Sequence, residues 1–294
     1  MLIFLVFLIV LLGALVLVYI AYKESGRIIN RCGGRKPLAA YPDQFKVPFE
    51  NVIFKNSDAI TLKGWFIPAP EESKKTIILM HGWNMNKGSI MPATLFLRES
   101  GYNLFYFDFR SCGESGDGKT SVGYLETRDA EAAVETLLKT RPERSHEIGL
   151  YGISMGAAVA VYTAAHTPQV RAVVAEACYY SYEKVVARWA KEHKSAPYFP
   201  LVALTLFFVR KRLGMDPETF SPRHNIKKLC GKAVFLINGA DDALAPRHDA
   251  RKLFAAAAEP KQLWIVANAA HTEAAEVAGR QYENKIGQFY TKYV

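Results

Sequence analysis

The first long apolar segment of the chain lies at its N-terminus. Leu2–Tyr22 is a run of 21 residues without a charged side chain. At about 1.5 Å per residue, a helix of that length crosses a bilayer core, so the pattern predicts an N-terminal transmembrane helix. No Lys or Arg precedes the run, and the exit sequence Tyr19-Ile20-Ala21-Tyr22 carries bulky tyrosines, unlike a cleaved signal peptide. We therefore expect a retained single-pass anchor.

Further along the chain, the hydrophobic pattern changes from alternating to continuous. Phe45–Phe54 and Ala59–Ile67 alternate between apolar and polar positions around Asn56-Ser57-Asp58, which predicts an antiparallel hairpin. Short continuous apolar runs then follow, and these are typical of strands that are covered on both faces. The six runs are Thr76–Met80, Asn103–Phe107, Glu147–Tyr151, Arg171–Ala175, Ala233–Ile237 and Gln262–Val266.

Helical segments separate most of these runs. They are Ser89–Glu99, Tyr124–Lys139, Met155–His166, Pro246–Ala258 and Thr272–Tyr290. Glycine or proline follows the first three at positions that stop a helix. The alternation of strand and helix predicts an α/β fold with a mainly parallel sheet and helices on both faces.

One interval, Tyr179–Leu229, interrupts the alternation. Its apolar stretch Tyr198–Val209 has 12 residues and is too short to span a bilayer. We expect residues 179–229, approximately, to form a helical cap with an acyl-binding or membrane-facing wall; ordinary helix core is the alternative. The side chains expected in that wall are Phe199, Leu201, Leu206, Phe207 and Phe208. The predicted organisation is an anchor at 1–22, a basic juxtamembrane linker at 23–44 and an α/β domain at 45–294.

Composition and charge narrow the range of partners. Half of the 294 residues are hydrophobic and 22% are charged, which excludes a disordered chain. The net charge of +9 is concentrated in the linker and in residues 183–232, where eleven basic and four acidic residues lie. The basic residues of the linker are Lys23, Arg27, Arg31, Arg35 and Lys36.

Both basic clusters adjoin apolar segments, and neither forms a recognition helix for nucleic acid. We therefore expect an anionic membrane surface as partner and no nucleic acid, with a solvated basic face as the alternative. The positive residues follow the span, so the positive-inside rule places the α/β domain on the cytoplasmic side. A secreted domain on an uncleaved signal is the competing interpretation.

The four cysteines, Cys32, Cys112, Cys178 and Cys230, show neither a metal-binding spacing nor a dense disulfide framework. We expect no metal site and no cofactor. Cys178 and Cys230 flank apolar stretches, so we interpret them as buried free thiols.

A candidate nucleophile follows the strand predicted at Glu147–Tyr151. The sequence Gly152-Ile153-Ser154-Met155-Gly156 fits G-x-S-x-G between a strand and a helix. A serine on so tight a turn leaves no room for side chains two positions away, and glycine removes the clash. Ser154 would then stand at a helix N-terminus, where the backbone N–H of Met155 faces an oxygen that develops negative charge.

A serine hydroxyl needs a histidine as general base and a carboxylate that orients the histidine. Among the seven histidines, His271 alone follows the last strand, in a loop at the expected active-site edge. We expect the carboxylate in the loop after another strand, which contains Asp241 and Asp242. Residue type does not decide which of the two orients the histidine. We expect the other aspartate to cap the helix that begins near Pro246. A second oxyanion donor is expected from the backbone of Trp83, in the loop His81-Gly82-Trp83-Asn84.

Together, these features resemble the serine α/β-hydrolases, and more specifically their membrane-anchored, serine-aminopeptidase-like branch of acyl hydrolases. The resemblance covers roughly Pro42 to the C-terminus and includes the order Ser, acid, His along the chain. Gly64–Ala69 is similar to the G-W-F-x-P-A strand end of that branch, and Asp108–Ser115 matches its D-x-R-x-x-G-x-S loop.

The resemblance also implies which carboxylate is the acid. The family pattern of glycine, two residues, aspartate and then proline four positions on fits Gly239, Asp242 and Pro246. Two departures occur: Asn238 stands where the family often has histidine before the glycine, and Ala270 stands where it often has glycine before the base. Neither departure removes a reacting group.

The sequence thus predicts a membrane-anchored serine hydrolase that cleaves an ester or thioester, with a lipid-like or acylated small molecule as the expected substrate. Ser154, His271 and Asp242 would form the catalytic triad. A serine peptidase of the same fold would use the same residues. The alternative from another class is a non-catalytic hydrolase-fold protein that binds a partner at the membrane. A carboxylate nucleophile, as in haloalkane or epoxide chemistry, is disfavoured by serine at position 154.

Overall fold

The computed structural model describes residues 1–30 and 35–294 and contains one eight-stranded sheet in the order β1-β2-β4-β3-β5-β6-β7-β8. The strands are β1 (Glu50–Lys55), β2 (Thr61–Ile67), β3 (Lys75–Met80), β4 (Asn103–Phe107), β5 (Glu147–Ile153), β6 (Val170–Glu176), β7 (Ala233–Gly239) and β8 (Lys261–Val266). Strand β2 pairs antiparallel with β1 and β4, and all other pairs are parallel. The predicted hairpin, the six apolar strands and the mainly parallel sheet are confirmed.

Helices cover the sheet on both faces. They are α1 (Leu2–Asn30), α2 (Lys87–Thr94), α3 (Phe96–Glu99), α4 (Thr127–Thr140), α5 (Met155–His166), α6 (Tyr182–Lys194), α7 (Ala203–Leu213), α8 (Pro222–Asn225), α9 (Arg247–Ala256), α10 (Ala274–Ala278) and α11 (Arg280–Tyr293). Two helices that were predicted as single elements are each divided in two: Ser89–Glu99 falls on α2 and α3, and Thr272–Tyr290 falls on α10 and α11. The C-terminal division falls at Gly279, whose φ of 49° lies in the left-handed region and ends the helical path.

The central strands explain why the apolar runs are continuous. Along β3, Ile78 and Met80 pack into the hydrophobic cluster on one face of the sheet, whereas Ile77 and Leu79 pack into the cluster on the other. All four side chains have no exposed surface. Because successive residues of a strand point to opposite faces, a strand covered on both sides requires apolar residues at every position.

The loop after β4, which carries the D-x-R-x-x-G-x-S motif, is held by buried ion pairs. Lys87 lies 2.6 Å from Asp108, and neither side chain is exposed. Arg110 pairs with the buried Asp129 at 2.7 Å. Burying charges is tolerated here because each cation meets a carboxylate. This motif therefore shapes the loops next to the site and does not supply a reacting group.

Helix α1 is long and apolar enough to cross a membrane, and it is the one such helix in the described ranges 1–30 and 35–294. It continues past the predicted boundary between residues 22 and 23 as far as Asn30. Most of its first 22 residues are exposed, whereas Ala21, Ser25 and Ile29 form a buried stripe. The division into anchor, linker and α/β domain remains a prediction.

The cysteine interpretation holds for one residue and is wrong for another. Cys178 is a buried free thiol, and burial raises its pKa. Cys230 is free but exposed, because the turn before β7 leaves it at the surface. Cys112 is disulfide-bonded. Cys32 and Arg31 lie outside the described residues.

Candidate active site

The turn between β5 and α5 holds Ser154 in a strained conformation. Its φ of 54° and ψ of −114° are rare for a residue with a side chain. A Cβ on Gly152 would lie 2.2 Å from the carbonyl oxygen of Gly156, and a Cβ on Gly156 would lie 2.2 Å from that of Met80. Only glycine fits at both positions, as the G-x-S-x-G spacing predicted.

Three side chains from separate loops form one chain of hydrogen bonds. Ser154 Oγ lies 2.8 Å from His271 Nε2, and His271 Nδ1 lies 2.8 Å from Asp242 Oδ2. A carboxylate can only accept, so Nδ1 carries the ring proton and Nε2 accepts from the serine hydroxyl. The structure thus brings together the predicted nucleophile, base and acid at the carboxyl ends of β5, β7 and β8.

Backbone contacts tie the acid loop to the base loop. The N–H of Asp241 donates to the carbonyl of Ala269 at 3.0 Å, and a Cβ on Gly239 would lie 2.2 Å from the same oxygen. The second oxygen of Asp242 accepts the N–H of Ala245 at 2.7 Å. With both oxygens occupied and the side chain buried, Asp242 has one orientation available.

Asp241 faces the opposite way and is exposed. The expectation that it caps the following helix is wrong: α9 begins after Pro246, which makes no side-chain cap. The reason is geometric, since Asp241 lies in the turn after β7, where its backbone is fixed on Ala269 and its side chain is exposed.

The predicted oxyanion donors, Trp83 and Met155, lie close to Ser154. Met155 is the first residue of α5, so its N–H has no acceptor within the helix. Trp83 and Met155 line the same cavity as Ser154. A Cβ on Gly82 would lie 3.4 Å from the Cβ of Ser154, which shows how closely the loop after β3 approaches the turn. Their role as donors remains a prediction.

His81 lies close to the site but has a structural role. It is fully buried; its Nε2 accepts the N–H of Phe109 at 3.1 Å, and its Nδ1–H donates to the carbonyl of Gly82 at 2.8 Å. Burial lowers the pKa of this imidazole and so favours its neutral form. His81 therefore joins the loops after β3 and β4.

Sequence reasoning missed a buried polar group beneath the triad. Glu176 ends β6, and its carbonyl oxygen accepts the N–H of Ser154 at 2.9 Å. Its carboxyl group accepts hydrogen bonds from Tyr151 at 2.8 Å and Tyr282 at 2.6 Å. Burial raises the pKa of Glu176. The available signal was an acidic residue directly after four apolar positions of a central strand.

Ser154 and His271 open into a cavity of about 970 Å³. Cap side chains contribute to its wall, among them Val185, Trp189 and Leu201. Trp83 stacks edge to face on Trp189 with ring centroids 5.9 Å apart. Of the side chains expected in the cap wall, Leu201 lines the cavity, Leu206 is buried, and Phe199 and Phe207 are exposed.

The described residues contain no cluster of three or more His, Cys, Asp or Glu side chains that could hold a metal ion. The reactive groups that meet at the site are the hydroxyl of Ser154, the imidazole of His271 and the carboxylate of Asp242.

Comparison with known proteins identifies a family match and similar proteins. Residues 71–219, just over half of the chain, match the family described as serine aminopeptidase, S33. The chain is 28% identical over 278 residues to the uncharacterized protein YqkD of Bacillus subtilis (strain 168), which covers 93% of this chain and 89% of that protein.

Solved structures agree in fold. The esterase Pf2001 of Pyrococcus furiosus has a TM-score of 0.73 and 27% identity, covering 88% of this chain and 98% of that one. The α/β hydrolase GrgF of Penicillium sp. sh18 has a TM-score of 0.63 and 21% identity, covering 84% and 99%, and shows the fold alone. The fold, the matched residues and these neighbours together place the chain in the serine aminopeptidase S33 family of α/β-hydrolases.

Proposed function

We propose that the protein is a membrane-anchored serine hydrolase that cleaves an ester or thioester through an acyl-enzyme. The observation that carries this proposal is the continuous hydrogen-bonded line from Ser154 through His271 to Asp242, with 2.8 Å at each step, on the wall of a large cavity. A hydroxyl so placed has a base for its proton and open space for a substrate carbonyl.

In the first half-reaction, Ser154 Oγ attacks the carbonyl carbon while His271 Nε2 takes the hydroxyl proton. The backbone N–H groups of Trp83 and Met155 stabilise the oxyanion, and Asp242 stabilises the imidazolium. Collapse breaks the bond to the leaving alcohol or thiol, which receives the proton from His271. Water then attacks the acyl-enzyme with His271 again as base, and the carboxylic acid and free Ser154 are regenerated.

Helix α1 supports membrane anchoring. The exposed side chains among its first 22 residues need an apolar surrounding, because those of Phe4, Phe7 and Ile9 would otherwise face water. Lys23 and Arg27 follow on the same helix, where they can meet lipid phosphates.

The comparisons support ester hydrolysis and also suggest peptide hydrolysis as a second candidate function. The Pyrococcus furiosus neighbour, at 27% identity, is an esterase. The family description names a serine aminopeptidase, so hydrolysis of a peptide bond by the same residues is the alternative. Relative kcat/KM for an ester and for the amide of the same acyl group distinguishes the two.

Labelling with a fluorophosphonate probe tests the proposal. The native protein should be labelled, and Ser154→Ala should lose the label, because the probe reacts with an activated serine. Ser57→Ala, at an exposed turn serine, is the matched control and should label like the native protein. A folded native protein without label, or label retained in Ser154→Ala, would favour the non-catalytic binding protein.

A further inference from the structure

The wall of the active-site cavity includes the anchor helix. Besides Ser154 and His271, the cavity is lined by Tyr19, Tyr22 and Gly26 of α1. Tyr19 and Tyr22 belong to the uncharged run Leu2–Tyr22. One surface of the cavity therefore continues along the same helix into the segment expected to lie in the bilayer.

Specific contacts hold α1 against the cap. The guanidinium of Arg212 donates to Ser25 Oγ at 2.9 Å and to the carbonyl of Tyr22 at 3.3 Å, and it lies 4.1 Å from the centre of the Tyr22 ring. The Tyr22 ring also meets Phe208 of α7 edge to face, with centroids 5.4 Å apart.

Two contacts farther along α1 add to this docking. Glu24 pairs with Lys194 of α6 at 2.5 Å, and the carbonyl of Ile29 accepts the N–H of Thr120 at 2.6 Å. The end of α1 is therefore a fixed part of the cavity wall.

Exposed apolar side chains of the cap lie beside the same helix. Phe207 is 48% exposed and contacts Phe208, which in turn contacts Tyr22. Phe199, at the start of the cap's apolar stretch, is 79% exposed. Aromatic side chains at this level of a span are typical of the membrane interface. Aromatic side chains thus continue from Tyr22 of α1 through Phe208 to Phe207 of the cap.

We propose that this cavity binds the long acyl chain of an ester that resides in the membrane, with α1 as one wall of the acyl-binding site. The inference rests on the proposed function, because the bound acyl chain would place its ester carbonyl for attack by Ser154. The cavity volume of about 970 Å³ is at the upper end of the range of roughly 300–1,000 Å³ for small-molecule sites. A two-carbon acyl group would leave the α1 side of it unfilled.

A chain-length series on the full-length protein in vesicles tests the role of α1. The native protein should hydrolyse esters with a kcat/KM that rises from two to sixteen acyl carbons. In Gly26→Phe, the ratio of kcat/KM for the sixteen-carbon ester to that for the two-carbon ester should fall about tenfold or more, since bulk in an apolar pocket discriminates by such factors.

Gly13→Phe is the matched control on the same helix. A Cβ at Gly13 meets nothing within 4 Å, and this residue lies outside the cavity wall. Its chain-length ratio should equal that of the native protein. If both variants lower the ratio equally, the effect belongs to membrane insertion and the proposal is overturned.

A second variant changes a cap residue in the cavity wall. Leu201→Trp narrows the same cavity without a change in α1 and should lower the same ratio. It keeps the test decisive if Gly26→Phe loosens the contact between α1 and the cap. Fluorophosphonate labelling of each variant reports whether Ser154 is still in place.

A comparison of two substrates that carry the same acyl group tests whether the acyl chain comes from the membrane or from solution. A sixteen-carbon glycerolipid ester in phosphatidylcholine vesicles should be turned over faster than a water-soluble sixteen-carbon acyl thioester; the reverse ranking overturns a membrane source. A flat chain-length series with Ser154-dependent turnover overturns the acyl-chain inference and leaves the proposed function standing. Absence of Ser154-dependent turnover of every ester overturns the proposed function itself.

Discussion

At the scale of single residues, the adjacent aspartates Asp241 and Asp242 show how position gives identical side chains different roles. Asp242 is buried, accepts the N–H of Ala245 and faces His271. Asp241 is exposed, and its contribution is a backbone hydrogen bond to Ala269. In the proposed mechanism, only the buried carboxylate fixes the imidazole tautomer.

Asp242→Asn should therefore lower kcat on an ester by roughly 10³–10⁴-fold, because an amide at this position no longer enforces the productive tautomer. Asp241→Asn changes the same functional group one residue away and should keep kcat within about twofold of the native value. Steady-state kinetics on both variants checks the ranking; a larger loss in Asp241→Asn would mean that the wrong carboxylate has been assigned.

At the scale of elements, the turn from β5 to α5 is determined by backbone clearance. The approach of Gly156 to the carbonyls of Met80 and His81 packs the first turn of α5 against the end of β3. This contact positions Ser154 relative to the loop that carries Trp83. A side chain at Gly156 would therefore disturb the packing and the proposed oxyanion site together.

Gly156→Ala should lower the free energy of unfolding by about 1–3 kcal/mol, the usual cost of overpacking a close contact, and should reduce fluorophosphonate labelling. Gly287→Ala is the contrasting substitution. It lies within α11, and the nearest heavy atom to its Cβ is 3.8 Å away, so the gain in helix propensity should stabilise the protein by up to about 1 kcal/mol. Thermal or urea unfolding of both variants measures the difference; equal destabilisation would contradict the clearance argument.

At the scale of the whole molecule, charge placement predicts the orientation of the α/β domain. Lys23, Arg27, Arg35 and Lys36 follow the apolar run. By the positive-inside rule, we expect the α/β domain to lie in the cytoplasm. The disulfide at Cys112 is the opposing observation, since disulfides persist in oxidising compartments.

Reporter fusions to the C-terminus decide between the two sides. A fluorescent reporter that folds in the cytoplasm should be bright, and an alkaline phosphatase fusion, which needs an oxidising compartment, should be inactive. An active phosphatase fusion with a dark fluorescent fusion would place the domain on the opposite face and would make the bond at Cys112 the better guide.

The elements of the fold could be predicted because each depends on neighbours in sequence. Alternation around Asn56-Ser57-Asp58 indicated the hairpin, and continuous apolar runs indicated strands that are covered on both faces. The turn at Ser154 was also local, since its two glycines lie within two residues of Ser154. Breaks such as the one at Gly279 were missed, because helical periodicity continues across them.

The sequence by itself determined the fold class, the strands and the turn at Ser154, since apolar periodicity and glycine spacing report local geometry and burial. Only the tertiary structure decided which distant groups meet. His271 lies 117 residues from Ser154 and 29 from Asp242, and their contacts depend on how the loops pack at the edge of the sheet. The same is true of α1, whose pattern predicts a membrane span and carries no sign that Tyr22 and Gly26 line the cavity. Such contacts between segments remote in sequence have no local signature.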